Sequence, residues 1–184
     1  MLTITNHQVR QARQVASPNY NERPQGCEPE LVVIHSISLP PGEYGGPYIE
    51  QFFSNCLNPD EHPYFADICQ LRVASHLLIT RAGELVQFVP FNFRAWHAGD
   101  SCYQGRDNCN DFSIGIELEG TDQDVYTDAQ YQELVAVLQA LFRRYPKLNP
   151  QTITGHQDIA PQRKTDPGPG FDWLRLEQLL MEHS

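Results

Sequence analysis

Apolar residues recur along this chain in two rhythms, one with the period of a strand and one with that of a helix. Leu31–Ile37 is a compact apolar run carrying Val32, Val33 and Ile34, the pattern of a buried core strand. Residues 113–120 (SIGIELEG) alternate with period two, so Ile114, Ile116 and Leu118 face one way and Ser113, Gly115, Glu117 and Glu119 the other. Strand-like stretches at 75–80 and 85–90 are joined by Arg81-Ala82-Gly83-Glu84, which predicts a hairpin. Shorter strands are expected at 94–97 and 152–154.

Helical spacing is clearest over 128–145, where Leu134, Val137, Leu138, Leu141 and Tyr145 share a face. Thr127 or Asp128 can cap its start, and Pro146 ends it. Residues 48–55 predict a short helix with Ile49, Phe52 and Phe53 inward. Residues 171–183 predict a terminal amphipathic helix with Trp173, Leu174, Leu176, Leu179 and Leu180 as core candidates. Strands interleaved with helices imply an α/β fold, and the hairpin makes its central sheet mixed. We therefore expect a single domain over residues 1–184, a mixed β-sheet flanked by α-helices.

Two stretches break the rhythm. Residues 16–30 are polar and rich in turn formers, so residues 1–30 read as an N-terminal arm packed on the core. Residues 38–47 (SLPPGEYGGP) hold three prolines and three glycines, which predicts a flexible loop beside a site.

The 184 residues suit one domain. With 13 basic against 23 acidic residues the formal net charge is −10, which argues against nucleic acid as a partner. No apolar run is long enough for a membrane span. Cys27, Cys56, Cys69, Cys102 and Cys109 are scattered with no C-x-x-C element, so they read as reduced thiols. The first residues lack the apolar region of a secretory signal, and a cytoplasmic monomer is the simplest expectation.

Candidate chemistry begins with seven histidines. His7, His62 and His183 read as solvated, and His76 and His97 as core or site-wall residues. His35 and His156 each close an apolar strand as it enters a turn-rich loop, the usual place of an α/β site, although a satisfied buried imidazole fits as well. Pro167 favours an extended Asp166, so Lys164 and Asp166 point to one side. Two imidazoles and a carboxylate suit Zn²⁺ with its fourth position open. Glu117, beside the spacious Gly115, is placed to move protons, but Glu119 shares its face and parity does not separate them. At least one of the two is expected to be a solvated strand carboxylate.

The stretches VVIHSISLPPGEYGGP, RAWHAG, YQGRDNCNDFSIGIELEGTD and TGHQDIAPQRKTDPGPGFDW are long and collinear. They resemble the AmpD-type zinc N-acetylmuramoyl-L-alanine amidases, a family related to peptidoglycan-recognition proteins. The resemblance implies one Zn²⁺ per chain on His35, His156 and Asp166, with Glu117 and Lys164 catalytic. It also implies hydrolysis of the amide between 1,6-anhydro-N-acetylmuramic acid and L-alanine of an anhydro-muropeptide, in cytosolic peptidoglycan recycling. Ser36 stands where family members often have Asn, and Asn108 where a second basic residue is common. Arg72 and Arg106 are candidates for the stem-peptide carboxylates, and Trp96 for an apolar platform under the sugar. An anionic substrate on an acidic protein calls for a positive island, expected from the metal, Lys164, Arg163, Arg72 and Arg106.

Rival readings are a non-catalytic recognition module on the same fold, a broader wall amidase, and a zinc peptidase cutting within the stem. The full set of five metal and catalytic candidates argues against the first.

Overall fold

A computed structural model of the chain describes residues 1–182, so His183 lies outside the described residues. Six strands build the central sheet: β1 (Arg13–Gln14), β2 (Leu31–Ile37), β3 (Leu77–Ile79), β4 (Leu85–Gln87), β5 (Ser113–Glu119) and β6 (Ile153–Gly155). Their order across the sheet is β6-β2-β5-β3-β4-β1. Pairing is parallel except between β3 and β4, the expected hairpin, so the sheet is mixed.

Helices α1 (Tyr48–Phe53), α2 (Pro63–Ile68), α3 (Asp128–Arg144), α4 (His156–Ile159) and α5 (Trp173–Glu182) surround it. The apolar face of β5, with Val32 and Ile34 of β2, packs on Leu134, Val137, Leu138 and Leu141 of α3 and Leu176 and Leu180 of α5. Each such side chain withdrawn from water contributes about 1.5–3 kcal/mol. Thr127 caps α3 in a reciprocal pair with Gln130. On the opposite face, α1 and α2 cover β3 and β4 through Phe52, Phe53 and Phe65. No helix among the described residues is long and apolar enough to cross a membrane.

Four local expectations need correction. Leu174 is 62% exposed, because it sits about 200° around α5 from buried Leu176. The strand expected at 94–97 is Phe93–Ala95, and it pairs with Tyr20–Glu22 outside the central sheet. His156 opens a one-turn helix rather than a loop. His7 bonds the Tyr145 hydroxyl at 2.8 Å rather than standing free in solvent.

Residues 1–30 are built into the fold. They supply the edge strand β1 and the half-buried Arg23, whose guanidinium donates to the carbonyls of Phe91, Asn110, Asp111 and Ser113. Burial pushes that guanidinium down to about 10, and the four carbonyls replace the water it has lost.

Candidate active site

Parallel pairing puts the carboxyl ends of β2, β5 and β6 at one edge of the sheet, where α/β folds place their sites. Register then aligns the chemistry. Glu117 is the partner of His35, and Gly155 is the partner of Ile34, so His156 follows directly beside His35. The ends of three adjacent strands thus bring His35, Glu117 and, one residue past β6, His156 into one row. Adjacent strands lie about 4.8 Å apart, within reach of one small reacting group.

Asp166 completes a convergent set. Its Oδ2 lies 3.2 Å from His35 Nδ1 and 3.1 Å from His156 Nδ1, and the two Nδ1 atoms are 2.9 Å apart. The proton inventory identifies what such a set requires. His156 Nε2 faces the carbonyl oxygen of Ala98 at 3.2 Å, which can only accept, so Nε2 carries the proton and Nδ1 is bare. A single proton on His35 Nδ1 would serve one neighbour and leave the remaining lone pairs facing each other. One cation answers all three atoms. His35, His156 and Asp166 are the one such trio found among the described residues.

Protonation states agree with that role. Burial and the neighbouring His156 push His35 down to about 4, so it is neutral near pH 7. Burial alone would raise the Asp166 carboxyl, but the adjacent His156 and His35 hold it well below the usual range. Neutral imidazoles and an ionised carboxylate are the ligating forms.

Both strand carboxylates are buried, so the expectation of a solvated one fails. Glu117 is 7% exposed and Glu119 3%. What separates them is hydrogen bonding. Glu119 accepts from the backbone N–H of Gly45 at 2.6 Å and of Arg81 at 2.9 Å, one bond on each oxygen. Glu117 Oε2 is buried without a partner. Burial and the charge of Asp166 lift Glu117 well above the normal carboxylate range, while Lys164 pulls it back. Glu117, Lys164 and the three converging donors share one cleft of about 380 Å³.

The sequence pattern of the N-acetylmuramoyl-L-alanine amidase family matches residues 25–169. The chain belongs to this amidase family. It is 60% identical over 174 residues to the 1,6-anhydro-N-acetylmuramyl-L-alanine amidase AmpD of Citrobacter freundii, covering 95% of this chain and 92% of that one. Its fold superposes on a crystal structure of a selenomethionine AmpD derivative with a TM-score of 0.94 and 58% identity, over 96% and 98% of the two chains. It also resembles the amidase AmiD of Escherichia coli, solved in complex with anhydro-N-acetylmuramic acid-L-Ala-D-gamma-Glu-L-Lys. That likeness has a TM-score of 0.60 and 30% identity, over 86% of this chain and 60% of AmiD.

Within the amidase, Ser36 and Trp96 also line the cleft. Ser36 Oγ donates to Asp122 Oδ1 at 3.3 Å, and Trp96 Nε1 donates to Asn21 Oδ1 at 2.7 Å, which holds the indole by its polar edge. Leu39, Phe52, Tyr64 and Ile68 give the cleft an apolar wall.

None of the arginines expected around the site is among the residues lining the cleft, although Arg72 stands between Leu71 and Val73, which are. Arg72 is exposed and bonds the carbonyls of Cys69 and Leu71. Arg106 pairs with Glu30 at 3.0 Å and lies over the Phe112 ring, beside a different cavity. Arg163 is spent on the carbonyls of Ala98 and Asp100. Lys164 is the one lysine or arginine among the residues that line the cleft. The sequence reading also did not foresee the ties on the 38–47 loop, which Tyr44 makes to Asp124 at 2.5 Å and Gly45 makes to Glu119. Their partners lie 74 to 80 residues away in the chain.

Proposed function

We propose that the amidase hydrolyses the amide joining the lactyl group of 1,6-anhydro-N-acetylmuramic acid to L-alanine of the stem peptide. In this reading His35, His156 and Asp166 hold one Zn²⁺, and Glu117 and Lys164 are catalytic. The observation that carries it is the buried carboxylate of Glu117, its Oε2 unpartnered, in the lining of the same cleft as three converging lone-pair donors. The AmpD relative's name and the molecule bound to AmiD support this substrate.

Two nitrogens and one oxygen suit Zn²⁺, and the chemistry it supplies when bound is Lewis acidity toward a carbonyl oxygen and toward water. The chain's own residues do the rest. The Glu117 carboxylate takes a proton from the attacking water as the new C–O bond forms. It then delivers that proton to the alanine nitrogen as the C–N bond breaks, so a carboxylic acid and a free amine leave. A raised proton affinity suits a group that must both take and return the proton near neutral pH. The Lys164 ammonium faces the oxyanion, and the apolar wall keeps bulk water from weakening that attraction. The small soluble substrate accords with a role in cytosolic muropeptide recycling, which the family resemblance implies.

The test is direct. Zinc-loaded protein is incubated with an anhydro-muropeptide and with its non-anhydro counterpart, and released peptide is followed by mass. Faster release from the anhydro form, lost on chelation and restored by Zn²⁺, is expected. Equal rates would remove the anhydro preference. No release from either would favour a recognition module.

A further inference from the structure

A histidine outside the trio of cation donors, lining the same cleft, is joined to that trio through His35. His97 Nδ1 lies 2.9 Å from His35 Nε2, and the two rings meet edge to face with planes at 89°. We infer that His97 is a positioning residue of this site: its Nδ1 lone pair holds His35 in the tautomer and ring orientation that present Nδ1 to a cation. The inference rests on the reading of His35 as a metal ligand.

The proton chain leaves one arrangement. For His35 to ligate through Nδ1, its proton must sit on Nε2 and be donated to His97 Nδ1. His97 must then carry its own proton on Nε2, which faces Ser113 Oγ at 3.1 Å. A hydroxyl can accept there, so the chain closes without a mismatched pair. Other metal-ligating histidines commonly end this chain on a carboxylate or a carbonyl. Here a second imidazole does the work, itself anchored by a serine.

The ring of His97 is also fixed in space. Asn110 Oδ1 accepts from the backbone N–H of His97 and of Ala98, at 3.1 and 2.8 Å. The ring lies over Gly115, where a Cβ would come within 2.5 Å of it. Strand β5 therefore contributes three successive residues of one face to one task. Ser113 anchors the His97 ring, Gly115 makes room for it, and Glu117 stands beside the ligand that the ring orients.

Zinc affinity, measured by competition with a chromogenic chelator on the folded full chain, tests this without relying on turnover. His97→Leu should weaken zinc binding by about 10–100-fold. His97→Asn should bind near the wild-type level, because its Oδ1 stands where Nδ1 stood and accepts the same proton. Leucine binding as tightly as wild type would overturn the inference, and so would asparagine as weak as leucine. Wild-type protein that binds no zinc would instead overturn the metal reading itself. Should His97→Leu not fold, imidazole nitrogen NMR of the zinc-loaded wild type decides alone. His35 and His97 should both appear as Nε2–H tautomers, and His97 protonated on Nδ1 would overturn the inference.

Discussion

Glu117 and Glu119 stand two residues apart on the same face of one strand, both buried, and only Glu119 has a hydrogen bond on each oxygen. Their substitution should therefore separate chemistry from architecture. Glu117→Gln should keep fold and zinc while turnover falls about 10²–10⁴-fold, the usual worth of a positioned base. Glu119→Gln turns an amide N–H toward one of two backbone donors, so it should cost about 1–3 kcal/mol of stability and loosen the 38–47 loop. Urea unfolding, limited proteolysis and steady-state rates on both variants make the comparison. The same loss of turnover in both, with stability intact, would refute the division.

Lys164 shares the cleft with Glu117 and opposes the burial of that carboxylate. Lys164→Ala should reduce turnover about 10²–10³-fold, as removal of one oxyanion stabiliser typically does. Lys164 is the one lysine or arginine lining the cleft, and Arg72, Arg106 and Arg163 are bonded to carbonyls or a carboxylate of the protein. Substrate binding to Arg72→Ala should accordingly match wild type. A large rise in KM for that variant would return Arg72 to the site.

Gly115 is needed for space. A Cβ there would meet the His97 ring at 2.5 Å, and both partners are backed by structure: β5 lies inside the sheet and Asn110 holds the His97 backbone. Gly115→Ala should destabilise the fold by about 1–3 kcal/mol, in line with overpacking elsewhere. Zinc affinity should fall with it. Unchanged thermal unfolding would mean that the ring can retreat.

Acid sensitivity should have a source outside the metal site. His76 Nδ1 accepts the Gly115 N–H at 3.0 Å and Nε2 donates to the Phe93 carbonyl at 3.1 Å, with the Arg23 guanidinium 3.3 Å away. A second proton would break the first bond and set two cations together. Burial and Arg23 thus push His76 down to about 3 from 6.5. The unfolded chain takes up the proton first as pH falls, so stability is lost from about pH 6.5 downward. The slope from this one group approaches about 1.4 kcal/mol per pH unit. His76→Asn keeps an acceptor for Gly115 and does not titrate, so its unfolding free energy should fall less steeply between pH 7 and 5. Parallel curves for the two proteins would remove His76 as the cause.

The elements were legible because their signals are local. Period-two alternation defined β5, an uninterrupted apolar run defined β2, and 3.6-residue spacing with Thr127 and Pro146 at its ends defined α3. The site was legible only in parts. The resemblance named His35, His156, Asp166, Glu117 and Lys164, but parity alone left Glu117 and Glu119 equivalent, since both point to the same side.

Only the tertiary structure could separate them, because the bonds that occupy Glu119 come from loops 38 and 74 residues away. Strand adjacency likewise decided that His35, Glu117 and His156 form a row, since register is a property of pairs of strands and not of either sequence. The partners of the arginines illustrate the same point. An arginine's charge can be read from the chain, but its destination depends on which carbonyls and carboxylates the fold brings near. Arg163 is drawn to the Ala98 carbonyl that also faces His156, Arg106 to Glu30, and Arg72 to the carbonyls of Cys69 and Leu71. Sequence alone therefore determined the elements and the chemical vocabulary of this amidase. Long-range packing decided which of those groups meet, and that Glu117 Oε2 is left without a partner.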